Sequence, residues 1–141
     1  MSGFRFFISW ITSSILMYLA FYAWHGLFLD DFSHLNYSKN IFFIFSAITY
    51  LVIALLTVIC FEIKFLQKLI PNSILRGILC GVGIGITVFI ISRVTGVGIG
   101  QSITLKHLLF DAGWQIVEQS IGGATISLCK LLVFEPAFEN D

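Results

Sequence analysis

The sequence predicts an all-α integral membrane protein, a four-helix bundle with both termini in the cytoplasm. Three observations carry this reading. Only 11% of the 141 residues are charged, 57% are hydrophobic and the mean hydropathy is +0.95, whereas a soluble domain is about 25% charged. Uncharged stretches recur that approach or exceed the roughly 20 helical residues needed to cross a hydrocarbon core. The polar residues inside those stretches fall at helical spacing and so share faces. A formal net charge of zero also removes the basic surface that a nucleic-acid partner requires. The expected surroundings are the lipid bilayer.

The chain reads as a single transmembrane domain, 1–141, with spans at about 6–29, 41–61, 74–93 and 106–133. The first has 24 residues without Asp, Glu, Lys or Arg. That exceeds the roughly 7 to 15 apolar residues of a signal peptide, and no small-residue cleavage site follows, so it is expected to be retained. The second is 21 residues free of charge. Lys64, Lys68 and the helix-breaking pair Pro71-Asn72 separate it from the third. The uncharged part of the third span is short, 16 residues over 77–92, and Arg76 and Arg93 at its ends are expected to snorkel to the headgroups. A glycine-rich link then leads to a fourth apolar segment that contains Asp111 and Glu118.

Four crossings put the termini on the same side as the link between spans two and three. Arg5, Lys64, Lys68, Arg76 and Lys130 fall on that side, against Lys39, Arg93 and Lys106 on the other. The positive-inside rule makes the first side cytoplasmic, and a bacterial inner membrane is the expected location. Cys60, Cys80 and Cys129 then lie toward a reducing compartment. They read as free, small buried residues rather than a metal or redox cluster.

Helices in lipid gain nothing from hydrophobic association, so small residues that admit close backbone approach mark their contacts. Gly77, Gly81 and Gly85, with Gly83 beside them, form a glycine zipper, and Gly122, Gly123 and Ala124 form a second close-contact patch. They predict tight packing within one chain or between copies. The run Gly96, Gly98, Gly100 lacks the preceding strand and the Lys-Ser/Thr ending of a phosphate loop, and reads as an extracytoplasmic turn.

The fourth span carries the main chemical clue. At about 100° per residue, with His107 at zero, Asp111, Trp114, Gln115, Glu118, Gly122 and Thr125 fall within an arc of roughly 100°. Leu109, Ile116, Val117 and Leu128 lie opposite and can face lipid. In span one Ser14, Tyr18, Tyr22 and His25 share a stripe, and in span two so do Ser46, Tyr50 and Thr57. A rise of about 1.5 Å per residue sets His25 and Asp111 about 5 Å inside the outer boundary and Glu118 about 15 Å deep, level with Tyr18 and Tyr50. An ionised carboxylate at that depth costs at least about 2.5–3.5 kcal/mol, so Glu118 must be protonated or supplied with donors.

The candidate proton or cation site is therefore Glu118 with Asp111, His25, Gln115, Tyr18 and Tyr50. Glu118 can equally be bundle glue bonded to tyrosine, His25 an interfacial imidazole, and Asp111 one half of a salt bridge with Arg93. His107 reads as solvated, Asp30 and Asp31 as a helix exit, and Trp10, Trp24 and Trp114 as an interfacial aromatic belt. Imidazole with carboxylate suits Zn, Fe or Mn, but no closely spaced ligand pair occurs and Glu118 lies about 10 Å below Asp111 along the helix. No metal or cofactor is assigned.

The function expected is that of a small multi-pass membrane protein whose buried polar face handles a proton, cation or small polar solute, as a homo-oligomer. The alternative is a non-catalytic accessory subunit of a larger membrane complex. An intramembrane enzyme using His25 with Asp111 or Glu118 has the least support, because Ser120 lies off the polar face and no nucleophile pairing is visible.

Overall fold

Pro71-Asn72 stops one helix and starts the next: Asn72 Oδ1 accepts the Leu75 N–H at 3.1 Å, which satisfies one of the donors a helix start leaves open. In the computed structural model, which describes residues 3–28, 33, 38–95 and 104–133, the chain is all-helical among the described residues. Helix α1 (Gly3–Tyr22) runs on as a wider π-helical turn (Ala23–Phe28). It is followed by α2 (Lys39–Glu62), the short α3 (Lys64–Leu69), α4 (Ser73–Thr95) and α5 (Leu105–Leu132). Helix α3, on a stretch the sequence reads only as a link, is set off from α2 by extended backbone at Ile63.

Three helical segments, Gly3–Phe28, Lys39–Glu62 and Ser73–Thr95, are long and apolar enough to cross a membrane. Helix α5 has 28 residues but is more polar, holding Lys106, Asp111, Glu118 and Lys130. It packs most closely on α4 and then on α1; α2 lies along α1 and touches α4 and α5 more lightly.

Polar side chains share the interior with an apolar core that includes Met17, Phe21, Ile53, Phe61 and Ile126, while the outside is apolar. Ser9, Ser13, Thr57, Glu118, Gln119 and Ser127 are buried, while Phe45, Val52, Ile59, Ile90 and Leu109 are exposed. An apolar exterior around an interior that also holds polar groups suits a hydrocarbon solvent. Leu109, Val117 and Leu128 are on the outside; Ile116 is half-buried against Gly85.

The glycine zipper is consumed within the chain. A Cβ on Gly77 would overlap Ser127 and the Gly123 carbonyl, and one on Gly81 would overlap the Gln119 carbonyl. One on Gly85 would come to 3.0 Å from the Gln115 carbonyl, whereas Gly83 faces open space. On the other side of α5, Gly122 is covered by the Met17 thioether of α1. Hydrogen bonds supplement this packing: Ser13 Oγ donates to the Gly122 carbonyl at 3.2 Å and Ser127 Oγ to the Ser73 carbonyl at 2.7 Å.

Two expectations, for Arg76 and Tyr22, are corrected. Arg76 does not snorkel: it is 4% exposed, donates Nη1 to the Ile70 carbonyl at 2.9 Å and lies over the Phe61 ring at 4.4 Å. A carbonyl at a helix end and a π face replace headgroup contacts. Trp10 Nε1 donates to the Leu51 carbonyl of α2 at 2.7 Å. Tyr22 departs from the inward stripe of α1 and is exposed beside Phe43; the face of α1 that meets α5 is Ser9, Ser13 and Met17, at steps of four. Asp30, Asp31, the 96–100 glycine run and the acidic residues of 135–141 lie outside the described residues.

Candidate functional site

Glu118 is 1% exposed and its carboxyl is held by uncharged donors. Trp114 Nε1, one turn earlier on α5, donates to Oε2 at 3.0 Å, and Gln119 Nε2 donates to Oε1 at 3.3 Å. The Tyr50 side chain of α2 lies beside the same carboxyl. Tyr18 supports Tyr50 edge-on, with ring centroids 6.0 Å apart. No Lys, Arg or His pairs with Glu118 among the described residues.

Above this carboxyl, a cavity of about 550 Å³ separates the ends of α1, α2, α4 and α5. Tyr50 and Trp114 line it, and both also contact Glu118, which puts the carboxyl one side chain beneath the cavity. Gln115, Ser46 and Thr49 add polar groups to the wall. The π-helical turn, a wider winding of the helix, carries Trp24 flat onto Trp114 with centroids 4.3 Å apart and His25 onto Phe21 at 4.9 Å. It thereby brings α1 to the cavity at His25.

Asp111 and Arg93 meet as an ion pair on the cavity wall, each side chain about one-third exposed (32% and 31%). Arg93 also lies over Phe89, 5.3 Å from the ring centroid. Asp111 therefore takes the salt-bridge arrangement with Arg93. The cavity brings together His25, Asp111, Gln115 and Tyr50; Glu118 and Tyr18 lie behind Tyr50. His107 stays exposed, its Nδ1 bonded to the Thr104 hydroxyl. No group of three His, Cys, Asp or Glu able to hold a metal occurs among the described residues.

The interior closes below Glu118, where Met17 covers Gly122 and Gly77 abuts Gly123. The polar space thus reaches inward from one end and stops. Gln119 escapes the sequence reading because it falls just beyond the polar arc of α5, at about 120° from His107. The glycine face opposite is the signal that could have found it: the Gly85 position lies against the Gln119 side chain. A comparison with protein-family models gives no match, and comparisons with curated proteins and with solved structures give none either.

Proposed function

We propose that the chain is a four-span protein of a bacterial inner membrane, with both termini cytoplasmic, whose polar interior binds and passes a proton or monovalent cation at Glu118. One observation carries the reading: a fully buried carboxyl with only uncharged donors, one side chain beneath a cavity. Ionised in lipid without a counter-charge, it costs at least about 2.5–3.5 kcal/mol, and a proton or a bound cation removes that cost.

The fourth crossing is α5. Its 28 residues span about 42 Å at 1.5 Å per residue, and its polar residues Glu118, Gln119, Thr125 and Ser127 are turned inward. The count of Lys and Arg supports cytoplasmic termini, so the cavity opens toward the outer side. The closed floor beneath Glu118 makes this an outward-open half-path, and transfer requires a rearrangement of α1 and α4 against α5. Because the glycine zipper is used within the chain, self-association into a homo-oligomer would draw on other surfaces.

The test is flux in proteoliposomes. Wild-type protein is expected to carry proton or potassium current under an imposed gradient, and Glu118→Gln, which keeps the shape and removes the charge, is expected to abolish it. Equal flux in both rejects the reading.

A further inference from the structure

Resting on the reading of Glu118 as a cation site, we infer that the cavity takes a lipophilic organic cation, a hydrophobic ammonium or phosphonium, entering sideways from the bilayer between α2 and α4. Four observations converge on that ligand class.

The cavity has the right walls. Phe21, Trp24, Phe42, Tyr50, Phe89 and Trp114 line it, and the negative face of an aromatic ring attracts a cation, more strongly when water is excluded. One protein cation already uses this surface, since the Arg93 guanidinium lies over Phe89. At about 550 Å³ the space falls within the roughly 300–1,000 Å³ of small-molecule sites.

The charge balance selects the sign. Arg93 and Asp111 cancel each other, which leaves the Glu118 carboxyl as the uncompensated acidic group just behind Tyr50 and Trp114. An anion would have to sit on that carboxyl with the nearby guanidinium already committed. A monovalent cation seated on the two rings completes the balance.

The chemistry of the walls selects an organic cation over a metal ion. Mg²⁺ and Ca²⁺ need six or more oxygen ligands, whereas most of the lining is hydrocarbon and no three-residue ligand group occurs among the described residues. Delocalised or alkylated cations need no such shell.

The mouth points into lipid. Phe45 and Thr49 of α2 and Ile91 and Thr95 of α4 line the cavity and are exposed; Phe45 retains 66% of its surface. Helices α2 and α4 meet lightly, so the seam between them is open on the flank that carries the apolar exterior.

The experiment is equilibrium binding of radiolabelled tetraphenylphosphonium to the full chain in nanodiscs of zwitterionic lipid, with tetraphenylborate as the probe of equal shape and opposite charge. Saturable phosphonium binding is expected, at least about tenfold tighter than borate, and weakened at least about tenfold in Glu118→Gln. Thr49→Trp, which fills the exposed mouth and leaves the buried carboxyl intact, is expected to block binding while the protein still elutes as wild type. The absence of saturable phosphonium binding, equal borate binding, or undiminished binding in both variants overturns the inference. If phosphonium fails to bind while Glu118-dependent proton or potassium flux persists, the inference falls and the proposed function stands. If neither binding nor flux depends on Glu118, both fall.

Discussion

Trp114 Nε1 donates to Glu118 Oε2 from one turn earlier on the same helix, at 3.0 Å. An i, i+4 bond holds no two helices together, so its effect is local: it solvates a carboxyl that lipid and apolar side chains would otherwise strand. Removing a partner from a buried polar group costs about 1–3 kcal/mol. Trp114→Phe keeps a ring against Trp24 and deletes the donor. It is expected to destabilise the protein by that order, read as a lower midpoint of thermal unfolding in detergent, and to weaken cation binding. Unchanged stability and binding would show that Tyr50 and Gln119 suffice.

The glycines of α4 separate into those that face a backbone and one that does not. Gly81→Ala drives a Cβ into the Gln119 carbonyl, which cannot move without shifting α5. Overpacking of this kind costs about 1–3 kcal/mol, and here it also displaces the residue bonded to Glu118. Gly83→Ala meets nothing within 4 Å and gains helix propensity of up to about 1 kcal/mol. Melting curves of the two variants are expected to move in opposite directions.

The same comparison marks how far the sequence reaches. Spacing alone made Gly77, Gly81 and Gly85 one face, because four-residue steps drift slowly around a helix; whether that face met α5 or a second copy depended on the partner surface. The arc holding Asp111, Trp114, Gln115 and Glu118 was likewise legible, and Tyr50 could be set level with Glu118 by counting residues. Arg76 was not legible, because a positive charge at a span end ordinarily reaches water, and its burial depends on the Ile70 carbonyl and the Phe61 ring brought in by the turn through α3. His25, counted onto the same stripe as Tyr18, does line the cavity beside Tyr50, although the π-helical turn that carries it departs from the 100° spacing on which such counting rests.

Arg93 and Asp111 face one another across the cavity wall at the α4–α5 seam. Both are about one-third exposed, so their coupling is expected near that of partly solvated pairs, up to about 1 kcal/mol. A double-mutant cycle with Arg93→Ala and Asp111→Ala, read by thermal unfolding, measures it. The larger effect is on charge. Asp111→Asn leaves the guanidinium uncompensated over Phe89 and is expected to repel a cation from the cavity, whereas Arg93→Gln is expected to tighten cation binding. The same direction of change in both variants would reject an electrostatic role for the pair.

Helix α5 decides whether the chain crosses the membrane three times or four. Its length suffices, and the polar residues at its middle, Glu118 and Gln119, are buried within the bundle, while Lys106 and Lys130 lie near its two ends. Single cysteines at Lys68, Lys106 and Leu132, all exposed, report the sides when Cys60, Cys80 and Cys129 are replaced by alanine. In intact cells an impermeant maleimide is expected to label Lys106→Cys alone; Lys68→Cys and Leu132→Cys require permeabilisation. Labelling of Leu132→Cys together with Lys106→Cys would mean that α5 does not cross. The reverse pattern at all three positions would invert the orientation and place the cavity in the cytoplasmic half of the bundle.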